Sequence, residues 1–103
     1  MRTIKPKNFT GSRAWEALDV ETIDQATIRL HWTDQPYKWH VNDGPEVFVV
    51  LDGAVDMYTR TNGEEKIHIL NVGDIFHAQD GDEHVAHPVG IARILVIERA
   101  GSV

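Results

Sequence analysis

A chain of 103 residues, 42% apolar and 25% charged, has the size and balance of a single domain (1–103) with one packed core. Ten basic against sixteen acidic residues give a net charge of −6, which argues against nucleic acid or an anionic membrane surface as partner, since both reward clustered Lys and Arg. Cysteine is absent, so disulfides and thiolate metal sites are excluded, and any metal must be held by nitrogen and oxygen.

Residues 1–13, with Lys5, Pro6, Lys7 and Gly11, lack periodicity and read as an arm lying across the domain or a partner subunit. They carry no apolar core of a secretory signal, and the longest apolar run, Val47 to Leu51, is far too short for a membrane span. A cytoplasmic location is the expectation. Residues 14–20 fit a short strand better than a helix. From Thr27 the period is two: Ile28, Leu30 and Trp32 share one face, Arg29, His31 and Thr33 the other.

Asp34-Gln35-Pro36 ends that strand, and Tyr37 to Asn42 is expected to form the next. After the Asp43-Gly44-Pro45 turn, Val47 to Leu51 reads as a strand buried on both faces. Asn62-Gly63 between the runs 54–60 and 66–71 is a hairpin signal, because both turn positions need positive φ. Short strands follow at 75–79, 83–87 and 91–99. Eight to ten short strands with regularly spaced turns predict an all-β fold, a small antiparallel sandwich or barrel.

One stretch carries chemistry. His40, Asn42 and Glu46 lie within seven residues around a tight turn and precede Gly53, and an imidazole and a carboxylate so placed can converge on one divalent cation. The segment Gly73 to Pro88 adds His84.

These two glycine-bounded segments resemble the two motifs of the cupin superfamily of small β-barrels (jelly rolls). His40, one residue, Asn42, three residues, Glu46, six residues, Gly53 follows the first motif's spacing. Asp34 stands where its leading glycine belongs, and Asn42 replaces its second histidine. Gly73, five residues, Gln79, one residue, Gly81, two residues, His84 follows the second, with Gln79 for proline and Pro88 for asparagine.

The resemblance implies that His40, Glu46 and His84 fall on three of the four metal-ligand positions, a donor set suited to Fe and tolerable for Mn, Ni or Zn. Asn42 takes the fourth, either coordinating through its amide oxygen or orienting a ligand. The alternative is a decayed site in which His40 and Glu46 satisfy each other as a buried polar pair.

On the strand before the second motif, His77 is a candidate acid/base group or a structural histidine. His31 shares a face with Arg29 that reads as solvated surface or as polar pocket lining, with surface preferred. Arg29 and Arg93 are the candidates to hold a substrate carboxylate, against the common role of strand arginines as exposed edge residues. Trp32, Tyr37, Trp39, Phe48, Tyr58 and Phe76 are expected to be mostly core. Two functions stay open: a metal-dependent enzyme such as a dioxygenase or isomerase acting on a small organic molecule, and a non-catalytic ligand-binding or structural barrel. Unpaired strand edges favour a homodimer.

Overall fold

Alternating side chains and closely spaced turns leave the chain little choice but to build antiparallel sheets, and the computed structural model, which describes residues 1–102, contains nine strands. They are β1 (Glu16–Ile23), β2 (Ala26–Thr33), β3 (His40–Val41), β4 (Glu46–Asp52), β5 (Val55–Thr61), β6 (Glu64–Leu70), β7 (Ile75–Ala78), β8 (Glu83–Pro88) and β9 (Ala92–Arg99). A five-stranded sheet runs β1-β2-β9-β4-β7 and a four-stranded sheet β3-β8-β5-β6, with every pairing antiparallel. The two close over a core of Phe48, Val50, Val55, Met57, Ala92, Ile94 and Val96. This is the expected all-β jelly roll. Among the described residues, no helix is long and apolar enough to cross a membrane.

The Asn62-Gly63 hairpin forms as read, with φ of 51° and 77° at its two central residues. Gly53 answers a different need. A Cβ there would stand 2.3 Å from the Ile91 carbonyl oxygen, so the turn after β4 can pass β9 only without a side chain.

Three expectations change. The strand expected over Tyr37–Asn42 shrinks to His40–Val41, because Tyr37 bonds the Ala86 carbonyl as an isolated contact. Val47–Leu51 is not buried on both faces: Phe48 and Val50 are enclosed, while Val47, Val49 and Leu51 are half-buried on the outer side.

The third concerns β2. Its Arg29-His31-Thr33 face points into the fold, opposite Val96, Ile94 and Ala92 of β9. The apolar face with Leu30 and Trp32 is outermost, yet both side chains are buried. There the N-terminal arm covers the sheet: a Cβ on Gly11 would meet the Trp32 ring at 2.8 Å. Arg93, paired with Trp32, pins the arm by donating to the Phe9 carbonyl (2.8 Å) and bonding Asp52 (2.7 Å). Arg93 is thus a clasp on the outside, not a substrate group.

Candidate metal centre and cavity

The β3–β8 ladder sets His40 opposite His84, with ring centroids 4.3 Å apart. Between them and β4 the chain reverses through Asp43-Gly44-Pro45. Asn42 is clamped by two backbone bonds, from its amide to Asp82 and from the Gly81 amide to its carbonyl. That reversal delivers Glu46, the first residue of β4, beneath the two imidazoles. Ligand atoms of His40, Glu46 and His84 all lie within 4.8 Å of one another. His84, Asn42 and Glu46 are 2%, 7% and 8% exposed, so these polar groups must satisfy one another or a ligand.

Their hydrogen bonds fix tautomers. The Nδ1 of His40 faces the Lys38 carbonyl (3.1 Å), which can only accept, so Nδ1 carries the proton and Nε2 keeps its lone pair. The Nε2 of His84 lies 2.6 Å from the Asn42 Oδ1 and 3.3 Å from a Glu46 oxygen, while its Nδ1 is buried without a partner among the described residues. In this arrangement the His84 Nε2 donates to two acceptors. Asn42 Nδ2 in turn donates to the Gly44 carbonyl (3.2 Å), which holds the amide oxygen toward the imidazole.

Two imidazoles, a carboxylate and an amide oxygen suit a divalent first-row ion, and the residues present fit the metal implied by the sequence motifs once the His84 Nε2 gives up its proton to free a lone pair. Burial keeps His40 below the ordinary histidine pKa, which favours the lone-pair form a metal requires.

A cavity of about 260 Å³ opens in front of this cluster. Its walls include Trp15, Tyr37 and Phe48, and its polar lining adds Arg29, His31 and Glu98. The Nδ1 of His31 faces the Trp15 carbonyl at 3.2 Å, leaving Nε2 as the free lone pair, and burial lowers its pKa. The carboxyl of Glu98 is pushed up to about 7, first by burial and then by the charge of Glu46, its partner across the β4–β9 ladder. Arg29 reaches to Asp19, Nε to Oδ1 at 3.1 Å.

Of the residues singled out from sequence, the structure brings His40, Glu46, His84 and Arg29 to one cavity, while Asn42 bonds the His84 Nε2 without lining that cavity. The structure does not bring His77. His77 shares a face of β7 with Ile75, and that face is the outer one: His77 pairs with Val47 and is exposed, while Phe76 points inward. For His31 the pocket-lining alternative holds over the preferred surface one: it is a cavity wall.

Trp15 and Glu98 were not anticipated. Nothing periodic surrounds Trp15, whose φ of 60° is a backbone state rare for a bulky residue, and it turns the indole edge-on to Tyr37 at 5.3 Å. Glu98 had one available signal, a carboxylate at the end of the alternating face formed by Ala92, Ile94 and Val96.

No protein-family profile matches the chain, and no curated protein matches it. Solved structures do. A cupin-2 domain containing protein from Shewanella frigidimarina superposes with a TM-score of 0.77 at 21% identity, covering 90% of this chain and 86% of that one. A cupin superfamily protein from Desulfitobacterium hafniense gives 0.75 at 15% identity, over 95% and 90% of the two chains. Iron(II) HppE in complex with substrate gives 0.68 at 17% identity over 81% of this chain, which spans about half (53%) of that enzyme. The chain has the fold of a small cupin domain.

Proposed function

We propose that this cupin-fold chain binds a divalent transition metal through His40, Glu46 and His84 and acts on a small organic molecule held in the adjoining cavity. The observation that carries this reading is the His40–Lys38 hydrogen bond: it directs an unprotonated imidazole nitrogen at the same point as Glu46 and His84. Fe, Mn, Ni or Zn would serve. A bound ion supplies Lewis acidity or redox chemistry with open positions for substrate, as a dioxygenase or isomerase requires. The shared fold with an iron(II) enzyme crystallised with its substrate supports the enzyme class.

The chain's own residues have separate work. Asn42, held by Gly44, orients a ligand beside His84. Arg29 offers its terminal nitrogens to a substrate carboxylate. His31, neutral with Nε2 free, takes over the proton-moving role first given to His77. Trp15, Tyr37 and Phe48 exclude water around the substrate.

One observation favours a second reading. The 2.6 Å bond between Asn42 and His84 satisfies the Nε2 of that imidazole with no ion, as a non-catalytic ligand-binding or structural barrel would need. Elemental analysis of untagged protein, beside a His84→Ala variant, separates the two. Near-stoichiometric transition metal in the wild type, lost in the variant, is the expected result. A wild type that is empty and takes up none of Fe(II), Mn(II), Ni(II) or Zn(II) sinks the metal reading.

The same reading takes the protein as a cytoplasmic homodimer. Edge strand β6 presents Ile67 and Ile69, 56% and 68% exposed, which a second copy would cover. Sedimentation showing a concentration-independent monomer contradicts the dimer.

A further inference from the structure

The cavity carries two opposite charges that do not use each other. Arg29 and Glu98 both lie on the inner face of the five-stranded sheet, Arg29 opposite Val96 and Glu98 opposite Thr27, so they are diagonal neighbours on β2 and β9. Diagonal positions are about 7–8 Å apart at the backbone, within reach of one small molecule.

No ion pair joins the two side chains among the described residues. Arg29 spends its Nε on Asp19 at the rim, leaving its two terminal nitrogens without a protein partner among the described residues. The Glu98 carboxylate has no hydrogen bond or ion pair there either, and it is open enough to be reached from the cavity. A second hollow at the mouth is bordered by both residues, so a ligand entering there meets both charges.

We propose that the cavity takes a small zwitterion of the α-amino acid type, its carboxylate on Arg29, its ammonium on Glu98, and its side chain against Trp15, Tyr37 and Phe48. The charge count selects this class over its two halves. A simple carboxylate gains Arg29 but enters beside Glu46 and Glu98. A simple amine gains Glu98 but meets the Arg29 guanidinium. A molecule with both charges engages each residue and leaves the net charge of the site unchanged. The aromatic walls suit an apolar side chain, and the volume of about 260 Å³ limits it to one of modest size. The inference deepens the reading of the cavity as a ligand site and does not depend on the ion.

The test is titration calorimetry on metal-free full-length protein at pH 8. The probes are leucine and phenylalanine, each beside the amine lacking its carboxylate (isoamylamine, phenethylamine) and the acid lacking its amine (4-methylpentanoate, 3-phenylpropionate). At least one amino acid should bind tenfold or more tighter than either of its halves. Arg29→Gln should erase that preference over the amine, and Glu98→Gln the preference over the acid.

A wild type that ranks an amine or an acid level with the amino acid overturns the proposal, and this arm needs no variant to fold. So does binding of none of the six probes. Metal uptake, measured separately, decides the metal reading whichever way the ranking falls.

Discussion

Glu46 and Glu98 stand directly opposite each other on β4 and β9, both turned inward, so two carboxylates share one end of the cavity. Burial and this neighbour raise the Glu98 carboxyl from 4.5 to about 7. The folded state therefore holds a proton that the unfolded chain releases earlier. The stability this contributes is complete below pH 4.5 and is lost as pH rises through 7. Glu98→Gln removes the dependence. Because Glu98 is half exposed, solvent screening reduces the effect to about 1–2 kcal/mol. Urea unfolding with a chelator present should show the variant gaining that much on the wild type between pH 5 and pH 8. A constant difference would refute the raised carboxyl.

On the proposed metal reading, Asn42 would set how tightly the His40–Glu46–His84 cluster holds an ion. Its neutral oxygen occupies a position where an imidazole would bind more strongly, so Asn42→His should tighten Zn(II) or Ni(II) uptake about tenfold or more. His84→Ala and Glu46→Ala should each weaken uptake by about 100-fold or more, since they remove ligands outright. Competition against a chromogenic chelator reads all three. If Asn42→His left affinity unchanged, Asn42 would not face the ion.

Trp15 should respond to substitution in an unusual order. Trp15→Ala removes a half-buried indole from the cavity wall and costs about 2–3 kcal/mol. Trp15→Gly removes the same indole but accepts the φ of 60° without strain, so it should cost about 1 kcal/mol less than the alanine. Guanidinium unfolding of the two variants checks the order. Glycine proving worse than alanine would show that the backbone there relaxes.

Gly53 and Gly63 share a left-handed backbone yet should behave differently. Gly53→Ala drives a Cβ to 2.3 Å from the Ile91 carbonyl, a backbone atom that cannot yield, and should cost about 3 kcal/mol or more. Gly63→Ala meets nothing within 4 Å and pays only the left-handed penalty, about 1 kcal/mol. Thermal unfolding of both should show the larger fall for Gly53.

The barrel and its ligand cluster were legible because they rest on local rules: period-two alternation, Asn-Gly turn chemistry, and ligand spacing around two turns. The inner wall was not. Alternation divides a strand into two faces without saying which is enclosed. In β2 the apolar face of Leu30 and Trp32 invited assignment to the interior, yet the cavity prefers the polar face, and the arm buries the apolar one. Once that face is reversed, Arg29 and His31 turn inward. On β7 the parity of His77 was right and its side wrong, for the same reason, so His77→Ala should leave ligand and metal binding unchanged. Trp15 was hidden because its placement depends on a backbone state that no local pattern announces.

The arm that crosses Trp32 at Gly11 runs, four residues later, into the indole that walls the cavity. Lid and strap are therefore one continuous piece of chain, fastened at Phe9 by Arg93 and at its far end by the Trp15–His31 bond. A pull on the N-terminus meets first the Arg2 bonds to the Asp19 and Val20 carbonyls, then the Arg93 clasp, and beyond these the cavity wall. A bulky fusion placed before Met1 would load that strap and alter the cavity's mouth without touching any residue that meets the ligand, whereas the same fusion set into the exposed Asn62-Gly63 hairpin would leave the strap unloaded.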